Sequence, residues 1–325
     1  MSTPQPTPAA APLALVAGAS RGLGLLIARE LGRRGHRLVV CARSAEELDT
    51  ARAQLEAEGI SVRTAVCDVS DAAAVDALVA DVEATDGPVE VALAVAGVIQ
   101  VGPLASLTRA HFAEAIDIML WGPINVALAV AGPMRARGHG RIGVITSVGG
   151  LVPVPHLLPY STAKFGAVGF SAGLRNELAG TGVKVTTVAP GLMRTGSHLR
   201  ATFTGRQGAE YAWFAPSATL PLIAMDPERA AERIVDGVLA GRAYVLLSAL
   251  TKIASRVNGL APTTTSAFLG LAARLLPSGP PPSGTDTVQG YQVEERLGPL
   301  PTALVRAVTT LGRRAAARWN QHPPA

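Results

Sequence analysis

Aromatic side chains make up only 4% of this 325-residue chain, so alanine, valine, leucine and glycine must fill its core. Charged residues are also scarce, at 16% against 48% hydrophobic, which is a globular composition rather than a disordered one. There are two cysteines, Cys41 and Cys67. Two cysteines make neither a disulfide framework nor a metal pattern, so they are expected as small buried hydrophobes in a reducing, cytoplasmic setting. The six histidines show no ligand spacing, and no metal site is expected. No apolar run approaches the ~18 residues of a membrane span. The longest clear one, "VALAVAGVI" from Val91 to Ile99, reads as a buried strand and its exit. Residues 1–12 lack a basic start and a hydrophobic stretch, so they read as a disordered tail and not a secretory signal. No nucleic-acid partner is expected.

What is present is alternation. "LALVAG", "RLVVCA", "VRTAVCD", "VALAVAG", "RIGVITS" and "KVTTVAP" look like six short strands, and "AYVLLS" (Ala243 to Ser248) like a seventh. Helical patterns such as Glu46 to Glu58 and Ala72 to Ala84 lie between them. This order implies an α/β fold, a doubly wound parallel sheet with helices on both faces. The expected organisation is a core domain over 13–250 and an extension over 251–325. The extension holds the linker "PSGPPPSGTD" and a last helix near 302–319. Ligands in such sheets bind beyond the carboxyl ends of the strands, so the residues just after each strand carry the functional argument.

"GASRGLG", Gly18 to Gly24, follows the first strand and opens a helix. Gly18, Gly22 and Gly24 let the backbone turn tightly and approach a pyrophosphate, and the helix N-terminus favours the anion. An NAD site usually carries an acid at the end of the second strand. Here "CARS" puts Ala42 and Arg43 there, with no carboxylate. Arg43, with Arg21 from the loop, can face a 2′-phosphate, so NADP(H) is the expected cofactor. Asp68, after the third strand, would lie by the adenine or cap the following helix.

"PYSTAKFG" sets Tyr160 and Lys164 one helical turn apart, on the same face. A free tyrosine has a pKa near ~10, and a nearby cation favours its phenolate. The pair is useful only beside a reacting carbonyl.

With these residues in view, the chain resembles the short-chain dehydrogenase/reductase family over about residues 13–250. The resemblance rests on "GASRGLG", "CDV", "AVAG" (Ala94 to Gly97), Ser147, the Tyr160/Lys164 pair and "PGLMRT" (Pro190 to Thr195), in family order. It implies hydride transfer between a nicotinamide and a carbonyl or alcohol. Tyr160 would be the acid/base, Ser147 would hold the substrate oxygen, and Lys164 would also bond the nicotinamide ribose. Ser20 and Leu23 of the loop, Val69 beside Asp68, and Ala96 and Gly97 would line the cofactor. Pro190 and Gly191 would line the nicotinamide, and Thr195 would bond its carboxamide or serve only as turn chemistry.

The resemblance also implies a homodimer or homotetramer, and Gly166, Gly169 and Gly173 leave one helix face nearly free of side chains. The family's Asn-Asn after the fourth strand is Ala94-Val95 here, and its catalytic asparagine is Met119. Pro123, four residues on, has no N–H for the Met119 carbonyl, and Gly122 eases a kink. A catalytically weak sensor or scaffold that keeps the fold is the alternative reading.

The segment from Thr195 to about Met225 holds Phe203, Tyr211, Trp213, Phe214, Leu220, Leu222 and Ile223. It reads as a lid over a lipophilic substrate, or as side chains that pack the lid onto the body. In the last helix, Leu304, Val308, Leu311, Ala315 and Trp319 form one stripe, with Arg306 and Arg313 pointing away. This stripe docks on the protein's own body or makes peripheral contact with a membrane.

Overall fold

The computed structural model describes residues 11–221, 224–278, 284–298 and 305–321. Leu222, Ile223, Leu304 and most of the expected N-terminal tail lie outside the described residues. The chain is held from its first described residues, because Pro12 O accepts the Arg37 N–H at 2.9 Å.

Seven strands form the central sheet: β1 (Leu13–Ala17), β2 (Arg37–Ala42), β3 (Val62–Val66), β4 (Val89–Ala94), β5 (Gly140–Ile145), β6 (Val183–Ala189) and β7 (Tyr244–Leu246). Their spatial order is β3-β2-β1-β4-β5-β6-β7, and every pairing is parallel. All five residues of β1 are buried, as a strand covered on both faces must be. The order reverses between β1 and β4. Beyond their carboxyl ends the two crossovers diverge and leave a crevice, and the functional groups gather there.

One face is covered by α1 (Gly22–Arg33), α2 (Ala45–Glu56) and the later helix Pro227–Leu239. The other is covered by α3 (Ala72–Thr85), the long helix Arg109–Arg137 and α4 (Leu158–Glu177). Among the described residues, Arg109–Arg137 is the one helix long and apolar enough to cross a membrane, and half of that apolar window is packed inside the protein. Ser44 caps α2 by accepting the Glu47 N–H, and Asp71 caps α3 by accepting from Ala74. Asp68 is therefore not a cap; it accepts from the backbone and hydroxyl of Ser70.

The long helix is irregular at Asp117–Trp121, a π-turn. Pro123 cannot donate, and the Gly122 N–H reaches back five residues to the Asp117 carbonyl. The distortion is thus one wide turn before Gly122 rather than a sharp kink at the proline.

Past β7 the chain forms an exposed pair of helices, Ala249–Leu260 and Pro262–Ala273; the second buries none of its residues. A small sheet of Gln100–Val101, Thr202–Phe203 and Val288–Gln289 ties the extension to the segment after β6. The last helix, Thr310–Arg318, and the residues flanking it pack on the body through Val305, Thr309, Gly312, Ala316 and Trp319. That face is shifted from the expected stripe, and Val308 and Leu311 are 38% and 44% exposed. Nor do the arginines both point away: Arg306 and Arg313 converge on Glu294 Oε1 at 2.7 and 2.6 Å. Glu294 is buried, and a buried carboxylate demands such partners. That demand, rather than the apolar period, sets how the helix is rotated.

Candidate active site

A cavity of about 600 Å³ opens at the carboxyl ends of the strands. Gly18, Ser20, Arg21, Leu23, Gly24, Arg43, Asp68, Val69, Ala96, Gly97, Ser147, Tyr160, Lys164, Pro190, Gly191 and Thr195 all line it. Of the sequence-derived candidates only Gly22 lies off the wall. Its φ of +56° turns the loop, and its N–H is bonded to the Trp319 carbonyl at 2.8 Å.

The glycine loop is cut to fit backbone against backbone. A Cβ on Gly18 would sit 2.4 Å from Ala96 N, and one on Gly24 would sit 2.0 Å from the Gly18 carbonyl. Val95 and Ala96 both donate their N–H groups to Ala17 O, so β4 stays clamped to β1 without the asparagine side chains. Asn125 supplies one side-chain bond nearby, donating to Val69 O at 2.9 Å. This cradle, with a helix N-terminus beyond it and cationic side chains at its rim, fits the pyrophosphate and 2′-phosphate of NADP(H).

Charge at that rim is balanced more tightly than the sequence suggested. Arg21 pairs with Glu47, which also accepts from Ser20 Oγ at 3.0 Å and faces Arg200 at 3.3 Å. Arg43 is the freer cation, 58% exposed and 3.9 Å from Asp68. Glu47, Arg200 and Gln321 had no motif to mark them. The Glu47 carboxylate comes from the first turn of α2, and Gln321 comes from the far end of the chain.

At the other end, Ser147 follows β5 and accepts the Gly149 N–H at 3.0 Å. Tyr160 and Lys164 project from the first turns of α4. Burial raises the Tyr160 phenol, while a hydrogen bond to Ser147 works the other way. Burial lowers the Lys164 ammonium to about 8. Lys164 Nζ donates to Ile145 O at 2.8 Å and sits 5.9 Å from the Tyr160 ring centre. The expected lowering of the tyrosine by the lysine is therefore not what governs here. Desolvation sets the direction for the phenol, and the cation is turned toward a strand-end carbonyl. Met119 is fully buried on the cavity wall, where it brings only a thioether to the asparagine position.

Over this end lies the helix Gln207–Ser217. The aromatics of this helix and of the preceding strand divide. Phe203, Tyr211 and Phe214 pack edge-on among themselves, with ring centres 5.3 and 5.8 Å apart. Only Trp213 and Phe214 reach the cavity wall. Trp213 is oriented by its Nε1–H, which donates to the buried Glu210 carboxylate at 2.8 Å; His156 Nδ1 meets the same carboxylate at 2.9 Å.

Comparison with known proteins decides the family. The family model for the short chain dehydrogenase matches residues 12–202. This chain belongs to the short-chain dehydrogenase family. A Streptomyces coelicolor protein described as "Putative ketoacyl reductase" is 40% identical over 185 residues, covering 56% of this chain and 71% of that one. Among solved structures, a point variant of the actinorhodin polyketide ketoreductase with NADPH is 35% identical with a TM-score of 0.64, covering 73% of this dehydrogenase and 95% of that chain. A short-chain dehydrogenase from Streptomyces avermitilis is 26% identical with a TM-score of 0.71, covering 82% and 99% of the two chains.

Proposed function

We propose that this dehydrogenase interconverts a carbonyl and an alcohol on a lipophilic substrate with NADP(H), using Tyr160 as the acid/base. One observation carries the reading: Ser147, Tyr160 and Lys164 line the same cavity as the glycine loop, Arg21 and Arg43. Support also comes from the relatives, which include a ketoreductase solved with NADPH. When bound, the nicotinamide supplies or accepts the hydride.

The chain's own residues do the rest. In reduction, the substrate oxygen lies against Ser147 Oγ and the Tyr160 hydroxyl. Tyr160 gives its proton to that oxygen as negative charge develops there. Lys164 holds a positive charge near the phenolate that forms, and its tie to Ile145 O keeps it at the strand end. With its ammonium lowered only to about 8, Lys164 is mostly charged at neutral pH. Arg43 and Arg21 would hold the 2′-phosphate, and Asp68 and Val69 would flank the adenine. The substrate end is walled by Val154, Leu157, Leu192, Trp213 and Phe214, which excludes water and favours an apolar body around the carbonyl.

A homo-oligomer is part of the same proposal. Gly169 and Gly173 face open space, though Gly166 is used inside the chain, where a Cβ would sit 2.8 Å from Leu120. Phe165 and Leu128 are 41% and 59% exposed nearby. Sedimentation at micromolar concentration tests this, and a monomer removes it.

The second reading, a binding protein without turnover, rests on Met119 alone. A panel of lipophilic ketones and alcohols with NADPH and NADP⁺ separates the two. Turnover that disappears in Tyr160→Phe supports the enzyme. Cofactor binding with no turnover of any panel member leaves the binding protein.

A further inference from the structure

The cavity has a wall that the family motifs do not supply. Trp319, Asn320 and Gln321 leave the last helix and fold over the glycine loop. The Trp319 carbonyl accepts the Gly22 N–H at 2.8 Å. Asn320, turned by a φ of +54°, donates its Nδ2 to the Ser20 carbonyl at 2.8 Å and the Glu47 carbonyl at 3.1 Å. Trp319 is anchored beneath, with the guanidiniums of Arg29 and Arg318 stacked over its ring at 5.0 and 4.7 Å. These three contacts bring Gln321 to the cavity wall, where it is 8% exposed.

The Gln321 carboxamide is not satisfied there. Its Oε1 is buried with no hydrogen-bond partner. A buried acceptor left unpaired costs about 1–3 kcal/mol. The site around it is already filled to capacity on the loop side, since a Cβ on Gly22 would sit 2.1 Å from Gln321 Nε2. On its other side Gln321 lines the cavity.

We propose that Gln321 is a cofactor-binding residue and that residues 319–321 form a latch which retains the dinucleotide. A carboxamide offers one acceptor and two donors. A ribose hydroxyl matches the first and a phosphate oxygen the second, and the adenosine side of a dinucleotide presents both together. The Gly22 N–H is consumed by the latch, while Leu23 remains on the cavity wall. The latch therefore braces the loop from behind and leaves its phosphate-facing side open. This inference rests on the NADP(H) reading above.

The test uses the full chain. NADPH affinity is measured by fluorescence titration and its release by stopped flow, for wild type, Gln321→Ala, Gln321→Glu and a deletion of 319–325. Thermal unfolding without cofactor reports folding. Gln321→Ala is expected to weaken NADPH by about 5- to 20-fold, mostly through faster release, with a midpoint in the cofactor-free protein no lower than wild type, since the unpaired buried acceptor is removed. Gln321→Glu, which puts a carboxylate near phosphate, weakens it further, and the deletion at least matches Gln321→Ala. Wild-type affinity and release in both point variants overturn the latch while leaving the cofactor reading intact. Tighter binding in any variant overturns it too, since the segment would then obstruct the site. A wild type that binds no dinucleotide overturns the cofactor reading and the latch with it.

Discussion

The two ends of the cavity are built by different means. Apart from Gln321, the cofactor end is made of strand-end loops from the first hundred residues: the glycine turn, Arg43, and Asp68 with Val69. Backbone geometry does most of the work there, and charged side chains are paired across the rim. The substrate end is roofed by the helix Gln207–Ser217, whose position depends on buried polar anchors. Glu210 orients Trp213, and Tyr211 donates to Glu294 at 2.9 Å. A cleft end held by backbone contacts tolerates change in its side chains. One held by buried carboxylates fails when a single partner is removed.

Tyr160→Phe, at the boundary between the ends, gives the largest effect. Turnover should fall by about 10²- to 10⁴-fold while NADPH affinity holds, measured by steady-state kinetics and fluorescence titration. Retained turnover would falsify the acid/base role. Glu294→Ala probes the roof. Removing the carboxylate strands the buried Tyr211 hydroxyl, while Arg306 and Arg313 stay solvated; this should cost about 1–3 kcal/mol of stability in denaturant unfolding, and raise KM for a lipophilic ketone more than for NADPH. Equal rises in both KM values would erase the distinction between the ends.

The roof should also be the acid-sensitive end. Burial lowers His198, which is fully enclosed, from its ordinary 6.5 to about 4. Its folded pKa is depressed, so between those values the unfolded chain binds the extra proton. Stability is then fully present above about 6.5 and lost as pH falls toward 4, by roughly 3 kcal/mol. His198→Leu should flatten the stability profile between pH 7 and 4, and an unchanged slope would assign the acid loss elsewhere. The smallest effect belongs to the cofactor rim. Ala42→Asp with Arg43→Leu should shift the kcat/KM ratio of NADPH to NADH by about 10- to 100-fold toward NADH, the worth of one or two charged hydrogen bonds. A wild type that already prefers NADH contradicts the arginine assignment.

The same contrast governs what could be read from the chain. The seven strands and their parallel, doubly wound arrangement followed from short Val-rich runs alternating with helices, and the glycine loop followed from its position between strand and helix. Those are local signals, each complete within a few residues. Glu47, Gln321 and the Glu294 anchor are not local. Glu47 sits in an ordinary acidic first turn, and only the fold brings it to Arg21 and Ser20. The last helix was readable as amphipathic, but its rotation was not. A stripe of Val308, Leu311 and Trp319 satisfies hydrophobic periodicity, while the buried Glu294 draws the side chains of Arg306 and Arg313 toward it. The aromatic segment after β6 was legible as a concentration of rings, yet three of them serve chiefly to hold one another.

The bond from Asn320 to the Ser20 carbonyl spans 300 residues of chain. A ribosome adding about 5–20 residues per second finishes β1 and its glycine loop many seconds before Asn320 exists. The sheet has all seven strands once residue 246 has been made, so the core can assemble while the loop still lacks its cover. Contacts of such separation form last, because the closure entropy of the intervening chain must be met first. The order of synthesis therefore puts a sheet-competent protein before a fully enclosed one.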